Sequence, residues 1–353
     1  MFAAQNGHEQ VALVLLEAKA DPNKAMSDGW TALLLAAQNG HEQVALVLLE
    51  AKADPNKAHS DGKTALMFAA QNGHEQVALV LLEAKADPNK AHSDGKTALM
   101  FAAQTGHEQV ALVLLEAKAD PNKARPDGFT ALMIAAQNGH EQVAHVLLEA
   151  KVDPNQAMPD GMTALMWAAE NGHEQVALVL LEAKVDPNQA MPDGMTALMW
   201  AAENGHEQVA LVLLEAKTDP NKAKSNGFTA LMFAAQNGHE QVALVLLEAG
   251  ASLKVVSIDN FTMLMAASLG GLTTVLKRVL PQSDIDAAVV ASHATEAGYT
   301  ALMYAAKAGQ QHCVHMLLSA GVRKEVQTAT GKTALSLARD SGHTVICDLL
   351  CAL

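Results

Sequence analysis

The sequence predicts an all-α solenoid of about 10 to 11 helix–turn–helix units joined by β-hairpin-like loops. Three observations carry this. The stretch Asp61 to Ser93 recurs almost letter for letter from Asp94. Corresponding units begin at Asp28, Asp61, Asp94, Asp127, Asp160, Asp193, Asn226 and Asp259, each 33 residues after the last. Each unit also holds two short apolar segments split by a glycine, and a pair that short buries its apolar face only against neighbouring copies.

Local chemistry justifies the elements in order. Thr64 is placed to cap a first helix, its hydroxyl accepting from the orphan N–H groups one turn on. That helix runs from Ala65 to Gln71, and Asn72-Gly73 stops it, glycine supplying the positive φ of a helix end. Glu75 to Ala84 is a second helix, with Val77, Ala78, Leu81 and Leu82 on one face. Asp87-Pro88-Asn89 and Ser93-Asp94-Gly95 are turns. The organisation read from the repeat is a truncated first unit at 1–27 and seven near-identical units at 28–258. A diverged unit at 259–296 follows, with a five-residue insertion around Pro281 to Ser292, and two diverged units fill 297–353. Met1 falls in mid-helix and Leu353 closes an apolar helix, so a piece of a longer protein is expected.

Composition narrows the function classes. Of 353 residues, 50 % are hydrophobic but only 3 % aromatic and 18 % charged, which provides a large core and argues against disorder. No apolar run approaches the roughly 18 residues of a membrane span, and MFAAQNGHEQ lacks the basic start of a signal peptide. Three cysteines, all beyond residue 312, make no disulfide framework and suit a reducing, cytoplasmic setting. A net charge of −14 opposes nucleic acid and anionic membrane as partners. There is no G-x-S-x-G, P-loop or dinucleotide fingerprint, so neither an enzyme nor a cofactor is expected. His-Glu-Gln lacks the second histidine of a zinc motif. His312, Cys313 and His315, with Cys347 and Cys351, read as helix packing and not as a metal site.

The motif DGxTALMxAAxxGHEQVxxVLLEAxxDPN resembles the ankyrin-repeat family, and it covers essentially the whole chain. Where the family has Thr-Pro-Leu-His, this chain has Thr-Ala-Leu-Met. The thioether is expected to fill gaps but to cap nothing, leaving each unit somewhat less rigid. The resemblance implies a non-catalytic scaffold that holds a protein or peptide along an inner, concave side. It also implies that asparagines such as Asn56, Asn89 and Asn122 are open to hydroxylation, although turn hydrogen bonding accounts for them. Such near-identical arrays further resemble effector-type ankyrin proteins of intracellular bacteria, which would place the chain in a host cytosol.

All twelve aromatics fall at two places in the unit. Trp30, Phe129, Phe228, Phe261 and Tyr299 take the third position, on the loop after Asp-Gly. Phe2, Phe68, Phe101, Trp167, Trp200, Phe233 and Tyr304 take the eighth, in the first helix. Met162 and Met195 also stand at the third position, with Met26, Met158 and Met191 on the loop before it. At the eighth position packing between first helices is the plain explanation. At the third, Lys63 and Lys96 show that solvent is tolerated, so Phe129, Met162, Met195, Phe228 and Phe261 are expected to form an exposed apolar ladder, the mark of an interaction site. The expected contact set is therefore Trp30, Phe129, Met158, Met162, Trp167, Met191, Met195, Trp200, Phe228, Phe261 and Tyr299. Gln137, Asn138, Glu170, Asn171, Glu203 and Asn204 would form its polar rim. The partner would be partly apolar, with a basic rim to suit an acidic scaffold, and the chain itself a monomer. Two alternatives stand: a recruiting arm of a larger enzyme, or a spacer or self-associating array using the convex row Leu13, Leu46, Leu79, Leu112, Leu178, Leu211 and Leu244.

Overall fold

A computed structural model describes residues 1–280 and 293–352. The insertion expected around Pro281 to Ser292 lies outside the described residues. Each unit forms two short antiparallel helices, for example Ala98–Thr105 and Glu108–Glu116, and 22 such helices follow one another among the described residues. No sheet forms there. The loops close instead through isolated antiparallel bridges such as Ala58 to Thr64 and Ala124 to Thr130. The chain divides into two compact units, Met1–Ala168 with Gln175–Val185, and Ala169–Glu174 with Asp186–Leu353. Within each, first helices pack on first helices and second helices on second helices.

The caps form as the sequence dictates, with one correction. Thr97 Oγ1 accepts from Met100 N at 3.4 Å, and Gly106 closes the same helix at φ 80°. But methionine does take part in capping. Met67 Sδ accepts from Thr64 N at 3.5 Å, and Met265 Sδ from Thr262 N at the same distance. A thioether is a weak acceptor, and it closes the box that Glu or Gln closes in other proteins. The core runs down the helix interfaces: Leu81, Leu114 and Leu147 of the second helices and Met67, Met100 and Met133 of the first helices are essentially inaccessible.

Two devices couple neighbouring units. His140 Nε2 donates to Gln104 O at 3.1 Å, 36 residues back, and His41, His74, His206, His239 and His343 make the same bond at 3.0–3.1 Å. The asparagines of the Asp-Pro-Asn turns form a second ladder. Asn89 Oδ1 accepts from Asp120 N at 2.6 Å while its Nδ2 donates to Lys118 O at 3.2 Å. Turn hydrogen bonding thus extends across units.

Beyond each second helix stands a lysine in the left-handed region, with Lys118 at φ 63° and Lys85 at φ 65°. The last near-identical unit has Gly250 in that place and the diverged unit at 297 has Gly321, at φ 88° and 79°. An L side chain costs roughly 1 kcal/mol there. Lys118→Gly should therefore raise the unfolding free energy by about 0.5–1 kcal/mol. Chemical denaturation of the two proteins measures this, and no gain would mean that the lysine stem recovers the backbone cost.

Candidate functional site

Third- and eighth-position side chains meet, as expected for a shared strip. Trp30 lies 4.9 Å from Phe68 and 4.8 Å from His59, centroid to centroid. Phe129 lies 5.1 Å from Trp167. In the other compact unit, Phe228 is 5.4 Å from both Phe233 and Phe261, Phe261 meets Tyr304 edge-on at 5.2 Å, and Tyr299 lies 5.4 Å from Tyr304. Such ring pairs add roughly 0.5–1.5 kcal/mol each beyond area burial.

The ladder is not exposed, which corrects the sequence reading. Met162, Met195 and Phe261 are buried at 4, 3 and 7 % exposure. Trp30, Phe129, Phe228 and Tyr299 are half-buried, as are Met158, Trp167, Met191 and Trp200. The reason shows at Lys63. Its side chain does not reach for solvent. It runs over the first helices, donating to Gln71 Oε1 at 2.9 Å and standing 5.4 Å from the Phe68 ring centre and 5.0 Å from that of Phe101. An unbranched methionine on the same path is covered along its length, and Phe261 is sandwiched between Phe228 and Tyr304. The Leu13 to Leu244 row is half-buried too. Cys313 is buried, which pushes its thiol up to about 11, while His312 and His315 are exposed, so these three do not converge.

The polar rim divides in two. Asn138 and Asn204 donate to carbonyls of their own helices, Ile134 O at 2.8 Å and Trp200 O at 3.0 Å, and so finish helix ends. Glu170 and Glu203 differ. Both replace the glutamine that stands at Gln38, Gln71, Gln104, Gln137 and Gln236. Glu170 Oε2 is buried without a hydrogen-bond partner. Burial, and then the charge of Glu203, hold the Glu170 carboxyl above its ordinary range. The Trp200 indole N–H is likewise buried without an acceptor. Asp193 goes the other way, held below the usual range by the Met195 backbone N–H and by Lys224, whose Nζ is 3.0 Å away.

Side chains the sequence reading passed over complete a cavity in the first compact unit. About 310 Å³ in volume, it is lined by Lys96, Gln104, Arg125, Phe129, Ile134, Gln137, Asn138 and Trp167. Lys96 had served only to show solvent tolerance. Arg125 carried its own signal, as the sole arginine in the first 277 residues.

Tandem helix pairs, capped by Thr and Gly and tied by a Gly-His bond to the preceding copy, define a repeat scaffold with side chains presented along its first helices. A family model for ankyrin repeats (3 copies) matches in overlapping windows from 1–92 through 112–191 to 263–353, across the whole chain. The chain belongs to the ankyrin-repeat family. Ankyrin repeats mediate protein–protein interactions, and proteins built from them are typically non-catalytic scaffolds. No curated protein matches the chain significantly. Among the described residues no helix is long and apolar enough to cross a membrane.

Proposed function

We propose that this chain is a non-catalytic scaffold that holds a protein or peptide on third- and eighth-position side chains, with Phe129, Met158 and Trp167 in the first compact unit and Met191, Trp200 and Phe228 in the second. The half-buried Phe129, Met158, Trp167, Met191, Trp200 and Phe228 give the apolar contact, Trp30 and Tyr299 extend it, and the buried Met162, Met195 and Phe261 support it from below. The observation that carries the reading is the paired Gln-to-Glu change at Glu170 and Glu203, with Glu170 Oε2 buried and unpartnered. A carboxylate oxygen buried without a partner costs stability, and a lysine or arginine brought by a partner removes that cost. Charge complementarity of this kind selects partners with a basic rim. We place the chain in the cytosol on its three free cysteines.

A peptide library selected on the full chain tests the proposal. Sequences recovered by the intact protein should be enriched in Lys or Arg beside apolar residues, and should bind the Glu170→Gln, Glu203→Gln double variant about three- to tenfold more weakly. Equal binding to both would overturn it. Stability gives an independent reading. The folded-state value of Glu170 is raised, so its penalty is absent below the unfolded value near 4.5 and complete above the folded one. Glu170→Gln should thus be neutral in acid and stabilising by up to about 1 kcal/mol at pH 7.

A further inference from the structure

We propose that the cavity between Lys96 and Trp167 receives an acidic side chain, Asp or Glu, of a partner polypeptide, with an apolar residue next to it lying against Phe129 and Trp167. This rests on the scaffold reading above but uses other residues and the opposite charge.

The lining explains the choice. Two cations face one small space in a protein whose net charge is −14. Neither is fully used. Lys96 Nζ donates to Gln104 Oε1 at 3.2 Å, with Asp94 Oδ2 no nearer than 3.9 Å. Arg125 donates through Nη2 to Asp127 Oδ2 at 2.7 Å, and its guanidinium lies 5.5 Å from the Phe129 ring centre, but its Nε–H is buried without an acceptor. A buried donor left unmade is costly, and bonds from a guanidinium to a carboxylate are among the strong ones. Asp94 and Asp127 already offset part of the positive charge. That favours a single carboxylate over a phosphate dianion. The Phe129 and Trp167 rings, 5.1 Å apart, provide an apolar wall for the neighbouring residue. At about 310 Å³ the space is at the small end of binding cavities, the size for a side chain or two and not for a domain.

The position is singular within the array. Arg125 stands where the truncated first unit has Met26 and the other near-identical units have His59, His92, Met158, Met191, Lys224 and Ser257. The long, forked donor thus occurs in only one copy, directly before the loop that carries Phe129.

The full chain has three tryptophans, so nitrogen-15 labelling gives three indole signals, those of Trp30 and Trp200 serving as controls. The probe is the tripeptide Ac-Leu-Glu-Phe-NH2, against Ac-Leu-Gln-Phe-NH2. The glutamate peptide should move the Trp167 signal saturably and bind about tenfold tighter than the glutamine peptide. Arg125→Gln and Lys96→Gln should each erase that preference. Asp127→Asn, which frees the guanidinium, should strengthen glutamate binding severalfold, a gain that a purely structural role for Arg125 does not give. Equal affinity for both peptides, a Trp167 signal that neither peptide moves, or a preference that survives Arg125→Gln would each overturn the proposal. Equal but measurable affinity would leave the strip as a peptide-binding surface and remove only the carboxylate.

Discussion

Phe261→Ala should lower the unfolding free energy by about 3–4 kcal/mol. Phe261 is 7 % exposed, stacks on Phe228 at an interplanar angle of 12°, and meets Tyr304 edge-on. Truncation removes the transfer energy of the ring, leaves a cavity between two aromatics, and forfeits both ring contacts. The same truncation at Lys63, also a third-position residue, should cost only about 1 kcal/mol, since it leaves no core cavity and gives up one bond to a side-chain amide and the ammonium's contacts with the Phe68 and Phe101 rings. Thermal and denaturant unfolding of the two variants measures the contrast. A cost below about 1 kcal/mol at Phe261 would mean that the ring is not held by its own chain and is free to meet a partner. The contrast also governs how binding experiments are read. A serine at Met195 or Phe261 removes core as well as contact surface, so lost binding there reports on folding. Glu170, Glu203 and Arg125 are the positions where binding and folding separate.

The fold was legible because its determinants are local and copied many times. Thr64, Gly73 and the Asp-Pro-Asn turn each act within one turn of backbone, and a 33-residue period repeats the signal until chance is excluded. The Gly-His pair was legible for the same reason, and its histidines do bond to the preceding unit. Burial at the third position was not legible, since it depends on where the next unit's first helix lies. The lysines there misled. Lys63 and Lys96 bring their ammonium groups over the Phe101 ring, 5.0 and 5.6 Å from its centre, so a charged residue at a site is no proof that the site faces water. Methionine was read as filler, yet its sulfur accepts the Thr64 N–H. The cavity at Arg125 was hidden because its lining comes from three successive units and from residue types with no shared motif.

Gly106→Ala should cost about 2–4 kcal/mol, a large effect for one added methyl. Two penalties add. Gly106 sits at φ 80°, where an L residue costs roughly 1 kcal/mol. Its new Cβ would also stand 2.6 Å from His140 Nδ1, the ring of the next unit. The imidazole must move, and moving it gives up the 3.1 Å bond to Gln104 O, worth about 1 kcal/mol. Gly321→Ala isolates the first penalty: its φ is 79°, but nothing lies within 4 Å of the added atom, so only the backbone cost of roughly 1 kcal/mol remains. The difference between the two variants is the coupling energy between adjacent repeats at that contact. His140→Ala completes the test, because with the ring gone Gly106→Ala should cost no more than Gly321→Ala. If the two glycine variants are equally destabilised with His140 in place, the Gly-His contact does not tie one unit to the next, and coupling rests on helix packing and the asparagine ladder alone.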